Sequence, residues 1–136
     1  MIKLISILFV SAAMAPACFA DPCEAKLPSK AGSIFTGTVK YVGDGDSLCV
    51  GKTGDGNEWI EVRIADFDAP ESSTKDGQRG KRILESVALG KSVTCTVTKG
   101  RSGRTISYDR VHAICRVGGA SVGDMLRQAG APTGGR

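Results

Sequence analysis

Apolar and polar residues alternate in short bursts from Ile34 onward. Phe35 to Tyr41, Ser47 to Lys52 and Trp59 to Ile64 each carry the two-residue period of a strand with one face buried, separated by Gly-Asp segments. Gly43-Asp44-Gly45 and Gly54-Asp55-Gly56-Asn57 supply turns in which glycine is expected to take the positive φ of tight hairpins. The three runs predict a meander. From Gln78 to Leu89 the period changes: Ile83, Leu84, Val87 and Ala88 recur at helical spacing, and Gly90 stands where a helix of about three turns would end. Two more strand-like runs, Ser92 to Lys99 and Val111 to Val117, flank a loop from Gly100 to Ser107. A last helix is predicted from Ser121 to Ala129, with Val122, Met125 and Leu126 on one face and Gly130 at its end.

Five short strands interrupted by one helix and followed by another predict an α+β, mainly β domain. The order is that of a five-stranded OB-fold-type barrel with two packed helices. This domain is expected over residues 34–132, preceded by a charged arm rich in Pro and Gly (21–33) and followed by a short tail (133–136). There are no internal repeats and no long low-complexity tract.

The first twenty residues read differently. Lys3 gives a positive start, Leu4 to Ala15 is apolar apart from two serines, and Cys18-Phe19-Ala20 ends on a small residue before Asp21-Pro22. That pattern predicts a cleaved signal peptide over 1–20, the apolar run being shorter than the roughly 18 residues of a spanning helix. A lipid anchor at Cys18 is disfavoured because Ala15-Pro16-Ala17 lacks a leucine. The expected location is therefore exported, either periplasmic or secreted, with no stable membrane insertion after cleavage. The formal charge of +4 is compatible with a polyanionic partner and ordinary for a soluble domain.

Four cysteines would survive such processing, and an even number in an exported chain favours disulfides over a metal cluster. No CxxC pair suggests zinc. Cys95 and Cys115 each sit on the inward face of a strand, which predicts their pairing and leaves Cys23 for Cys49; four free thiols are the alternative, and connectivity stays open.

Candidate chemistry gathers in four pieces: Asp44-Gly45-Asp46-Ser47, Arg63, Asp68-Ala69-Pro70-Glu71 and Tyr108-Asp109-Arg110. Carboxylate oxygens suit a hard cation such as Ca²⁺, and arginines fork onto phosphate oxygens, so the set fits metal-assisted phosphodiester cleavage. Each piece alone reads as a turn or a strand end. An EF-hand is excluded, because no glycine follows at loop position six and no glutamate at twelve. His112, the single histidine, reads as a strand side chain and is assigned no role. Lys75, Arg79, Lys81 and Arg82 form a basic cluster equally suited to solvent or nucleic acid, while Arg101 and Arg104 lie on the loop nearer the candidate site.

The order of these motifs, together with Leu89-Gly90-Lys91-Ser92-Val93 and Val122 to Gly130, resembles the staphylococcal (micrococcal) nuclease, or thermonuclease, family. The resemblance covers roughly residues 35 to 132. It implies a Ca²⁺-dependent endonuclease acting on DNA and RNA, with the metal held by Asp46, Asp68 and the carbonyl of Ala69, and with Asp44 supporting that loop. It implies Glu71 as general base or water-orienting carboxylate, Arg63 and Arg110 as phosphate-binding catalytic arginines, and Tyr108 beside the nucleotide. Ser47 departs from the family's threonine, Ser107 stands where a lysine can meet a terminal phosphate, and the family's longer C-terminal segment with stacking aromatics has no counterpart before Arg136. The competing reading is a non-catalytic module of the same fold that binds a polyanion or a partner, such as an accessory of envelope or exopolysaccharide functions; a purely structural envelope protein is the third. No protein partner is inferred.

Overall fold

Register shows how the short runs close on themselves. The protein is described from a computed structural model over residues 22–134; the leader expected at 1–20, Asp21 and the last two residues lie outside the described residues. The strands are β1 (Ile34–Asp44), β2 (Ser47–Gly51), β3 (Ile60–Ile64), β4 (Ser92–Val97), β5 (Ile106–Ser107), β6 (Arg110–Val117) and β7 (Ala120–Ser121). The first half of β1 pairs with β4 and the second half with β2, both antiparallel. Register shifts between Val39 and Tyr41 and between Val42 and Asp44 mark bulges that bend β1 from one neighbour to the other. β3 pairs antiparallel with β2 and parallel with β6, and β6 pairs antiparallel with β4. The order β3-β2-β1-β4-β6 thus returns to β3 as a closed five-stranded barrel, the expected fold. The two-residue strands β5 and β7 are attached to β6.

Alternation fills the interior. Val39, Leu48, Val50, Val62, Ile64, Val97 and Val111 are almost fully buried, and Cys95 and Cys115 lie among them in direct register. Two helices complete the core. Leu84 and Ala88 of α1 (Lys75–Ala88) and Val122 and Leu126 of α2 (Val122–Gln128) are buried in it. Both expected disulfides are present, Cys95 to Cys115 and Cys23 to Cys49, the second fixing the arm to β2. Backbone bonds from Glu24 to the Gly56 carbonyl and from Ala25 to the Trp59 carbonyl extend that attachment. Among the described residues no helix is long and apolar enough to cross a membrane.

Several expectations need correction. α1 starts at Lys75, not Gln78, because Thr74 caps it: its hydroxyl accepts from the Gly77 amide at 3.0 Å. The first turn carries no apolar residue, so periodicity could not reveal it. α2 is shorter than the predicted 121–129, with Ser121 as its cap. β1 begins at Ile34 and runs to Asp44, β4 stops at Val97, and Trp59 follows a 3₁₀ turn (Gly56–Glu58) instead of opening β3. The segment 100–107 is not all loop, since β5 forms within it. Gly90 and Gly130 end their helices at positive φ as expected, but Gly45, Gly54 and Gly56 do not adopt it. Gly45 is required for space: a Cβ there would press on the Cβ of Ala69 at 2.6 Å.

Gly77 separates two effects of opposite sign. Alanine in a helix is favoured over glycine by about 1 kcal/mol, yet a Cβ at Gly77 would land on the backbone carbonyl of Glu71. Gly77→Ala is therefore expected to lower stability, by roughly 1 to 3 kcal/mol in chemical denaturation, because crowding against fixed backbone exceeds the propensity gain. An unchanged or raised midpoint would show that the Glu71 turn yields freely.

Candidate active site

The turn between β1 and β2 organises its own carboxylates. Asp44 Oδ1 accepts from the amide of Asp46 at 3.1 Å and from the hydroxyl of Ser47 at 2.8 Å, so the turn is held by side chain as well as by the Asp44–Ser47 strand pair. Asp46 then reaches the segment after β3: its carbonyl accepts from Ile64 at 2.8 Å and its Oδ2 from the amide of Ala69 at 2.8 Å. Two segments distant in sequence meet there.

Arg63, at the end of β3, locks the meeting. Its Nη1 donates to the carbonyls of Ile64 and Phe67, and its Nη2 lies 2.6 Å from Asp68 Oδ1 and 3.1 Å from Asp46 Oδ2. Arg101, from the loop before β5, also pairs with Asp68. Further anchors hold the loop: Arg127 donates to the Asp66 carbonyl at 2.9 and 2.8 Å while stacking over Phe67, and the amide of Gly134 donates to the Asp68 carbonyl at 2.8 Å. Glu71 follows on the exposed rim, its carbonyl accepting from the amide and hydroxyl of Thr74.

Burial and proximity split the two acids of the turn. Burial, reinforced by Asp44, pushes Asp46 up to about 7 despite the opposing amide of Ala69 and the charge of Arg63. Burial also opposes ionisation of Asp44, but hydrogen bonds from Asp46 and Ser47, with Arg110 nearby, outweigh it and lower its pKa. Among the described residues no three His, Cys, Asp or Glu side chains form a metal-binding group. What does converge is a pair of carboxylates, Asp46 and Asp68, on one positive nitrogen. That donor chemistry fits a hard cation that keeps several waters, and does not fit zinc.

The opposite wall comes from β6. Val62 pairs with Val111 and Arg63 with His112, and because Val62 and Val111 point inward, Arg63 and His112 share the outer face. His112 Nε2 lies 2.7 Å from the Ser107 hydroxyl, and Gly100 passes so close to the ring that a Cβ would overlap it. Burial first, then Arg63 and Arg110, lower the pKa of His112. Tyr108 sits at the tip of the β5–β6 hairpin with φ of 55° and is 97% exposed. Arg110 lies beside Glu61 and Asp109.

All eight residues singled out by the sequence, Asp44, Asp46, Arg63, Asp68, Ala69, Glu71, Tyr108 and Arg110, line one cleft of about 610 Å³. Arg101, Ser107 and His112 join them; Ser47 braces Asp44 from outside, and Arg104 and the basic cluster of α1 do not line the cleft. Arg63 differs from a free phosphate ligand in that its terminal nitrogens are engaged with backbone and acids. The carbonyl of Ala69 faces Gly134 at a distance that leaves no room for a side chain. Sequence reasoning did not single out Glu61 and assigned His112 no role. Glu61-Val62-Arg63 and Arg110-Val111-His112 place charged or titratable residues on one face of each strand, a pattern that a solvent-facing strand surface shares.

Comparison with known proteins adds one relative. No protein-family model matches the chain. Over 56 residues, 40% of this chain, it is 43% identical to a protein of Haemophilus influenzae named "Uncharacterized endonuclease". The matched stretch spans 30% of that protein's length.

The His112 environment fixes a sign. A histidine whose pKa is lowered from 6.5 on folding takes up a proton more readily when unfolded. Its contribution is complete above that value and is lost as pH falls through the window beneath it. Wild-type melting temperature is expected to fall more steeply than that of His112→Gln between about pH 7 and pH 5. Parallel curves would remove this environment as a source of pH dependence.

Proposed function

We propose that this chain is an exported Ca²⁺-dependent nuclease of thermonuclease type that hydrolyses phosphodiester bonds in DNA, with RNA as a further candidate substrate. The observation that carries the reading is the convergence, in one cleft, of the Asp46–Asp68 carboxylate pair, the rim carboxylate Glu71 and the guanidinium of Arg110. The endonuclease name of the relative points the same way. Export is supported by the two disulfides and by the leader pattern of residues 1–20.

In this reading Asp46, Asp68 and the Ala69 carbonyl would hold Ca²⁺, which would supply positive charge to neutralise a phosphodiester. Asp44 keeps the turn in shape through the Asp46 amide and the Ser47 hydroxyl. Arg63 holds the acidic loop against the barrel. Arg110 places its guanidinium on the phosphate oxygens, where charge grows as the attacking oxygen approaches. Glu71 takes a proton from the attacking water. Tyr108 offers an exposed ring on which a base stacks, an interaction worth roughly 1 to 3 kcal/mol.

The test is cleavage of single-stranded DNA by the disulfide-bonded protein in Ca²⁺ and in chelator. Cleavage only in Ca²⁺ is expected, with losses of about a hundredfold or more in Arg110→Ala and in Glu71→Gln. Binding of DNA without turnover in Ca²⁺ would replace this reading with that of a polyanion-binding module.

A further inference from the structure

Glu61 is the most deeply buried charged residue among those described, 3% exposed, and is the second residue of β3. A carboxylate so placed loses hydration, and matched partners must offset that loss. Arg110 is one: its Nε lies 3.6 Å from Glu61 Oε1. Asp109 Oδ1 is 3.8 Å from the same nitrogen. Distance hardly separates the two acids, so their surroundings decide. The Asp109 side chain is 71% exposed and screened by water, whereas that of Glu61 is 4% exposed. The same attraction is several times stronger where water is excluded.

The pairing is written into the barrel seam. β3 and β6 run parallel with Val62 opposite Val111 and Arg63 opposite His112; one step earlier, Glu61 and Arg110 come side by side on the face that carries Arg63. A guanidinium is a rigid plane with five donors. With its Nε edge turned to Glu61, the end-on pair of Nη groups is left for a second acceptor, in the shape that two oxygens of one phosphate match. Arg110 lines the cleft, which is where such an acceptor would lie.

We propose that Glu61 is a positioning residue that holds the Nε edge of Arg110 and thereby aims its terminal nitrogens at the reacting phosphate; the aim at phosphate rests on the nuclease reading, the pairing does not. Glu61 touches no substrate. Its effect falls on the transition state, where the alignment of Arg110 counts most, and so on kcat more than on KM.

Two readouts on the disulfide-bonded protein test this. In ¹⁵N-labelled protein the Nε–H signal of Arg110, assigned by its loss in Arg110→Lys, is expected to be resolved and slow to exchange. Glu61→Gln should broaden it and Glu61→Asp should retain it in part. In cleavage of single-stranded DNA, Glu61→Gln is expected to lower kcat by roughly ten- to a hundredfold with little change in KM, and to add almost nothing in an Arg110→Ala background. An Arg110 signal indifferent to Glu61→Gln, or losses that multiply in the double variant, would overturn the proposal. A wild-type protein with the expected signal but no cleavage upholds the pairing and overturns the nuclease reading. Should Glu61→Gln fail to fold, Glu61→Asp carries both readouts.

Discussion

The guanidinium of Arg63 joins parts of the chain that would otherwise stay open or repel. Two of its contacts are backbone carbonyls, of Ile64 at the end of β3 and of Phe67 in the loop beyond, and two are carboxylates from different turns. Without that charge, Asp46 and Asp68 would face each other with no shared counter-ion, and Ile64 and Phe67 would lose a donor to their carbonyls. An arginine suits this place because its donors lie in one fixed plane and its charge is retained throughout the accessible pH range. The acidic loop is thus held as a rigid wall of the cleft.

Charge in and around the cleft is arranged by depth as well as by sign. Asp46 and Glu61 are buried, while Glu71, Arg101, Tyr108 and Asp109 are exposed. Deep groups interact through a medium of low polarisability, whereas rim groups are screened by water. Arg101, largely exposed and resting on Asp68, belongs to the second kind. The division places fixed charges at the floor of the cleft and solvated ones at its rim.

Legibility in the sequence followed the range of the interactions. The barrel strands and both helix ends marked by Gly90 and Gly130 were readable, because alternation and helix termination are local rules. The start of α1 was not, since Thr74 acts through a hydrogen bond to Gly77 and the first turn carries no apolar residue. Gly45 was read correctly as a turn residue but for the wrong reason: the constraint is the approach of Ala69, which no local rule contains. The cleft residues were legible through a combination of motifs that resembles a known family, whereas Glu61 was not, because an acid inside an alternating strand looks like an ordinary solvent-facing position. Its burial belongs to the assembled barrel, where it stands opposite Cys49 of β2 and beside Arg110 at the closing seam.

That closing seam carries a consequence for when the cleft exists. Joining β3 to β6 links two strands far apart in sequence, with α1 and β4 between them, and the entropic penalty of so long a loop must be met before the contact returns any stability. The Asp44 turn and the acidic loop both precede α1, but Arg110 and His112 arrive only with β6. A chain halted before that step holds the acids of the cleft and none of its opposite wall. Assembly of the cleft is therefore tied to completion of the ring, and a partly made or partly opened barrel lacks one of its walls.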